Sequence, residues 1–339
     1  MKILKMVLKL IGILIVLALI ALAYLLNTHE DLEPYQNHFV TSAPTKPAGV
    51  RVRFMGNTNL LFTDGSTTIL IDGWYTRAGF LDLAFRQIEP DLDAISNGLE
   101  RGRVGQVDAI IPVHSHYDHA MDTPEVAMRT GALVLGSNST ANIARGWGLA
   151  EDKIAVVRAN RPYQFGDFSV TLIPTNHFEF ANPRMREAAL ADTQITAPLI
   201  PPVKALEYKM GGAYSVYIQH PKGTALVQGS AGFIPGALDN IKADVVFLGV
   251  GGLPSQSKEY QQAYWQHVVS ATKPKQLYPI HWDSLTDELE EQPVMQNLLL
   301  SKILGFESSA SLDYAIEQAK QEAIEVGLLP MWVDIALFE

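Results

Sequence analysis

Residues 114–119 read His-Ser-His-Tyr-Asp-His and follow directly on the apolar run Ala109–Val113. Five apolar residues cut off by a polar string describe a buried strand that ends abruptly in a loop. A tight loop at a strand end can turn three imidazoles and one carboxylate toward a common point, and borderline divalent ions such as zinc favour that set of N and O donors. Chance would produce this pattern in about one of 3,000 chains of the same composition. The chain has no cysteine, so any metal must rest on His and carboxylate, and disulfides and thiolate nucleophiles are excluded.

A second constraint lies at the N-terminus. Lys2, Lys5 and Lys9 precede an uncharged apolar run from Leu10 to Leu26, and Asn27, His29, Glu30, Asp31 and Glu33 follow it. At about 1.5 Å per residue this run reaches roughly 25 Å, the short end of what spans a bilayer. Positive residues before and acidic residues after predict a cytoplasmic N-terminus and a body on the far side. Three readings share the pattern: an uncleaved single-pass anchor, a cleaved signal peptide and a buried core helix. Ala21-Leu22-Ala23 resembles a small-residue cleavage site, but Tyr24, Leu25 and Leu26 continue the apolar stretch past it. The anchor reading divides the chain into a cytoplasmic segment 1–9, a transmembrane segment 10–26, a stalk 27–49 rich in Pro, Thr and polar residues, and a periplasmic or outer-face body 50–339.

In the body, short apolar runs alternate with helical patterns. Strands are expected at Val52–Met55, Asn59–Thr63, Thr67–Ile71, Ala109–Val113, Leu133–Leu135, Ile154–Val157 and Phe168–Ile173, then at Tyr214–Gln219, Ala225–Gln228, Val245–Val250 and Gln276–Ile280. Turns at Gly56-Asn57 and Asp64-Gly65 make the first three an antiparallel meander. Helices are expected at Pro124–Thr130, with Thr123 as N-cap and Gly131 past the end, and at Ser139–Trp147, Lys258–Thr272 and Ser311–Glu325. Strands then helices, twice over, imply an α/β (α+β) sandwich of two mixed sheets packed face to face with helices outside. Lys and Arg total 26 against 36 Asp and Glu, a net charge of −10 that disfavours nucleic acid as a partner.

With the histidine string, four further segments bring a family into view: Ile69-Leu70-Ile71-Asp72-Gly73, Asn176-His177-Phe178, Gln228-Gly229-Ser230-Ala231-Gly232 and Ile280-His281-Trp282-Asp283. Their order and spacing resemble the metallo-β-lactamase superfamily of metal-dependent hydrolases, over nearly everything from Arg51 to Trp282. The resemblance implies an αββα sandwich in which His114, His116 and His177 hold one ion, Asp118, His119 and His281 hold a second, and Asp72 supports the histidine loop. One position departs from the pattern: Ser230 stands where the family has an Asp that bridges both metals. A neutral hydroxyl is a much poorer ligand for two dications, so the resemblance leaves a mononuclear site and a hydroxide-bridged pair both open. Glu179 and Asp283, each two residues beyond a ligand histidine, are either compensating carboxylates or partners of an imidazole N–H.

The resemblance further implies one or two divalent ions, zinc by default with iron or manganese permitted by the same donors. A three-histidine site keeps an open position where water loses a proton near neutral pH and attacks a carbonyl or phosphoryl centre, with Asp118 as the catalytic group that orients the water or takes its proton. The Asn-His-Phe and Ile-His-Trp-Asp endings look most like the branch containing ascorbate-lactonase-like and phospholipase-D-like hydrolases. That points to an ester, lactone or phosphodiester in a small-molecule substrate, and the anchor, by proximity, to a lipid-like one. The alternative is a metal-binding, non-catalytic protein degenerate at Ser230. The long segment between His177 and Ala213 reads as a lid or substrate wall, or as a surface insertion. His29, His38, His220 and His267 carry no site role in this reading, and Asn57 and Asn59 are turn residues.

Overall fold

In Phe168–Thr175 the first three alternate positions, Phe168, Val170 and Leu172, are buried and those between them are half-buried, the period of a strand with one face on a core. Ala109–Ile111 and Val245–Gly249 are instead buried at every position, as strands covered on both faces must be. These two patterns define the architecture of the computed structural model, which describes residues 2–41, 49–180, 182–191 and 193–339. In chain order the strands are β1 (Val50–Phe54), β2 (Leu60–Thr63), β3 (Thr68–Ile71), β4 (Ala109–Ile111), β5 (Leu133–Gly136), β6 (Ile154–Val156) and β7 (Pro162–Phe165). They continue as β8 (Phe168–Thr175), β9 (Ala213–His220), β10 (Gly223–Gln228), β11 (Val245–Gly249), β12 (Gln276–Ile280), β13 (Glu325–Val326) and β14 (Asp334–Phe338).

One sheet runs β14-β1-β2-β3-β4-β5-β6 and the other β13-β12-β11-β10-β9-β8-β7. Strands β3 to β6 and β10 to β13 pair parallel, and the other neighbours, β14 with β1 among them, pair antiparallel. The sheets meet face to face on Val52, Phe54, Phe62, Ile71, Phe168, Val216, Phe247 and Tyr278. Helices cover both outer faces: Val126, Ala127 and Ala144 pack on Leu70 and Val134, and Tyr264, Trp265, Leu312 and Ala315 pack on Val246 and Leu248. The expected two-sheet sandwich is the one observed.

The expected strands all form, with ends shifted by one or two residues. The edge strands β7, β13 and β14 carried too short or too mixed a pattern to stand out, and the helix Leu92–Arg101, capped by Asp91, was also missed. The expected helix from Lys258 to Thr272 contains a π-turn at Gln266–Ser270. Another forms at Ser308–Gln321 rather than Ser311–Glu325, because residues 325–326 pair with β12. Thr123 is the first helical residue and not the N-cap; Asp122 takes that place, and the Thr123 hydroxyl donates to the Asp72 carbonyl at 2.8 Å.

Lys2–Asn27 is one continuous helix, α1, of 26 residues with no buried side chain. The stalk expected after it does not stand free where it is described; residues 42–48 lie outside the described residues. From Thr28 to Val40 the chain is strapped to the body by main-chain hydrogen bonds: Leu298 N to Thr28 O, Glu30 N to Gln296 O and Val40 N to Leu328 O. Buried Tyr35 donates to Asp313 at 2.7 Å. The Glu30 carboxylate accepts from Ser301 Oγ at 2.8 Å and from the Ser309 amide at 3.0 Å, with Lys302 Nζ 3.2 Å away.

Burial alone would raise the pKa of Glu30, but the bonds from Ser309, Ser301 and Lys302 outweigh it and hold the carboxyl below its ordinary value. Its contribution is therefore complete above the ordinary glutamate pKa and fades as pH falls through the lowered one. Glu30→Ala leaves these donors unpaired and should cost about 1–3 kcal/mol at neutral pH, with a smaller difference from the parent in acid. Thermal melts at both pH values, with limited proteolysis across residues 28–41, check this.

Candidate metal centre

Strand β3 ends at Asp72, whose φ of 60° turns the chain sharply out of the sheet. Its carboxylate accepts the Val113 amide through Oδ1 at 2.8 Å and faces His119 Nδ1 through Oδ2 at 2.7 Å, with the Thr58 hydroxyl also bonded to Oδ2. One carboxylate thus ties two strand ends together and fixes the His119 ring. With Nδ1 committed, Nε2 of His119 is buried and has no hydrogen-bond partner among the described residues. It points instead at Asp118 Oδ2, 3.4 Å away, and that oxygen lies at the same distance from His281 Nε2. Asp118, His119 and His281 form one three-donor group.

His114, His116 and His177 form a second. His114 Nε2 faces His116 Nδ1 at 3.1 Å, and His177 keeps Nε2 free because Nδ1 bonds the Phe178 carbonyl at 2.7 Å. The donor atoms of each group lie within 4.8 Å of one another, and the groups adjoin, with the His114 and His119 ring centroids 4.0 Å apart. The resemblance's two ligand sets are the two sets the fold assembles.

Electrostatics suit a cation. Burial, then the neighbouring imidazoles, holds His114 well below its ordinary pKa, and burial holds His116 at about 4, so both rings stay neutral with lone pairs available. Burial opposes ionisation of Asp118, yet His119 and His281 outweigh it and hold the carboxyl well below the usual range. Burial likewise opposes the charged form of His119, but Asp118 and Asp72 overcome it and raise its pKa. Three neutral imidazoles in one group, His114, His116 and His177, and an ionised carboxylate between two imidazoles in the other fit one or two divalent ions.

The supporting shell departs from the sequence expectations in three places. Glu179 does not face the histidines: its carboxylate pairs with Arg186 at 3.1 Å on the surface. Asp283 does not touch His281 either. The left-handed φ of 60° at His281 swings the chain so that both Asp283 oxygens accept the Asn57 amide at 2.8 Å. Asn57, read as a turn residue, also donates through Nδ2 to the Asp118 carbonyl at 2.8 Å and accepts the His281 amide at 3.0 Å, so it ties the two ligand loops of one group. Ser230 Oγ accepts the Phe178 amide at 3.4 Å and steadies the His177 turn.

Other contributors have no local sequence signal. Arg77 is buried over the Trp74 ring at 3.8 Å, 3.7 Å from Asp283, with no hydrogen-bond partner among the described residues. Gln296 donates to the Asp283 carbonyl at 2.8 Å. Gly251 is where it is because a Cβ there would stand 2.5 Å from His281 Nδ1. The segment after His177 forms a wall: the helix Pro183–Leu190 brings Ala189 beside His116, and the Ser115 amide donates to the Met210 carbonyl at 2.8 Å. Met210 is thereby part of it, while Arg184 and Arg186 stay exposed and Pro201-Pro202 leads into Val203, which pairs with Ile88. A third grouping, Asp64, Asp167 and His220, sits at the other end of β3. There the Lys222 amide donates to His220 Nδ1 at 3.2 Å, which leaves the proton on Nε2 and no lone pair for an ion.

A family model described as a beta-lactamase superfamily domain matches residues 51–281. A curated relative, a UPF0173 metal-dependent hydrolase of Heliobacterium modesticaldum, is 28% identical over 36% of this chain and 44% of its own length. The chain spans half or less of the length of the curated relatives it matches. Among solved structures, Igni18, a metallo hydrolase from Ignicoccus hospitalis, superposes with a TM-score of 0.52 at 14% identity, over 86% of this chain and 99% of that one. CmlA, a diiron beta-hydroxylase from Streptomyces venezuelae, superposes with a TM-score of 0.52 at 12% identity, over 87% of this chain and 55% of that one.

Asp72→Ala removes the acceptor that fixes the His119 tautomer. It should weaken metal binding about 10- to 100-fold, read by competition with a chromophoric chelator.

Proposed function

The chain belongs to the beta-lactamase superfamily, and on that footing we propose that it is a membrane-anchored metal-dependent hydrolase of an ester, lactone or phosphodiester bond in a lipid-like substrate. The observation that carries the reading is the pair of adjoining three-donor groups, with one ring in each, His119 and His177, fixed by a hydrogen bond at Nδ1. His114, His116 and His177 would hold one divalent ion and Asp118, His119 and His281 a second, with zinc, iron and manganese all compatible with the donors. Bound there, an ion supplies Lewis acidity and lowers the pKa of water.

The chain's own residues do the rest. Asp118 is buried between His119 and His281 and held ionised, which suits its carboxylate to orienting an attacking water; taking the water's proton would need its pKa raised. Asp72 and Thr58 keep the His119 ring fixed, and Asn57 keeps the loop of Asp118 registered against His281. The wall after His177 limits access of bulk water to His116. Phe178 and Phe180 pack on the His177 ring, at 4.5 and 5.5 Å, and Phe306 stands 6.4 Å beyond Phe180. This aromatic row favours a substrate with an apolar arm. The apolar exposed α1 supports anchoring, with its basic residues on the cytoplasmic side.

Ser230 favours a second reading, a metal-binding protein that has lost efficient hydrolysis with its bridging carboxylate. Elemental analysis of the detergent-solubilised full chain, purified without chelator, separates the two when combined with assays on phosphodiesters and lactones. Hydrolysis that is lost together with metal in His116→Ala supports the proposal, and no metal in the parent protein after supplementation overturns it. Ser230→Asp should raise affinity for a second ion. If it also creates activity where the parent has none, the degenerate reading holds; if it abolishes existing activity, Ser230 belongs to a working site.

A further inference from the structure

We propose that Ile303 and Leu304 form an apolar lip that inserts into the bilayer surface beside α1 and holds the body against the membrane. The inference rests on the membrane-anchored reading above. Both side chains are exposed, Ile303 at 62% and Leu304 at 41%, and what sets them apart from other exposed apolar side chains of the body, such as Phe85 and Ile200, is their place beside the end of α1. They end the single helical turn Leu299–Ile303, which rests against α1, where Leu22, Leu25 and Leu26 are half-buried.

The strap fixes this placement. The Leu298 amide donates to the Thr28 carbonyl at 2.8 Å, one residue beyond the end of α1, and the Ser301 hydroxyl donates to Glu30 at 2.8 Å. From Leu298 to Ile303 is five residues, roughly 8 Å at helical rise. The headgroup layer on each side of a bilayer is about 5–8 Å deep. A lip held that close to the end of the span, and turned alongside α1, meets the layer in which apolar side chains of surface-lying segments embed. Lys302, the only cation in the turn, is paired with Glu30 and Glu307, so burial of the two apolar side chains and not attraction to lipid headgroups would hold the lip. Phe306 follows two residues after Leu304 and packs near Phe178 and Phe180, the rings beside His177.

The absence of native cysteine makes the test direct. Full-length single variants Ile303→Cys, Leu304→Cys, Ile15→Cys in α1 and Lys222→Cys in the β9–β10 turn are spin-labelled and reconstituted in phosphatidylethanolamine–phosphatidylglycerol vesicles. Collision with lipid-soluble oxygen and with an aqueous nickel chelate is then measured. Labels at 303 and 304 should resemble Ile15→Cys, gaining oxygen collisions and losing most nickel collisions relative to Lys222→Cys. Labels at 303 and 304 as aqueous as Lys222→Cys, with Ile15→Cys still in lipid, overturn the lip and leave the anchor standing. An aqueous Ile15→Cys overturns the anchor and the lip with it.

Discussion

The buried contact between Asp72 and His119 holds the metal centre to the fold. A carboxylate without solvent must find hydrogen-bond donors, and Asp72 finds them on three pieces of chain: the Val113 amide at the end of β4, the His119 ring in the histidine loop and the Thr58 hydroxyl in the β1–β2 turn. Satisfying one buried charge therefore brings the two strand ends and the loop into register. The same bond selects which nitrogen of His119 is left for a cation. Structure and chemistry depend on a single requirement, and a change at Asp72 would disturb both.

Around that contact the site is held by backbone geometry that side-chain type alone does not reveal. Asn57, Asp72 and His281 all adopt left-handed φ, between 55° and 60°, which costs about 1–2 kcal/mol per non-glycine residue and persists only where surroundings over-determine it. At Asn57 the surroundings are Asp283, Asp118 and His281; at Asp72 they are Thr58, Val113 and His119.

The six candidate ligands were legible in the sequence because each sits at or just beyond the end of an apolar run, where a strand must stop and side chains converge. Glu179 and Asp283 were misread because closeness in sequence to a histidine says nothing of direction once the chain kinks: one turns to Arg186 and the other to Asn57. Arg77 and Gln296 meet Asp283 from more than ten residues away in sequence, and no periodicity records those contacts. The strap was hidden for another reason. A segment rich in Pro and polar residues looks like a linker, yet Thr28, Glu30 and Val40 are held largely by main-chain groups, which composition does not report.

The pairing of β14 with β1 has a consequence for how the domain comes into being. The first strand of the body finds one of its two partners at Asp334–Phe338, and Leu329, Met331, Ile335 and Phe338 complete the core begun by Val50, Val52 and Phe54. Contacts across nearly 290 residues form late, because loop closure is paid before they reward it. A chain that emerges from its N-terminal side cannot finish the first sheet until β14 has emerged, so β1 keeps an open edge until then. Vectorial assembly leaves that edge as the site of premature pairing until β14 covers it.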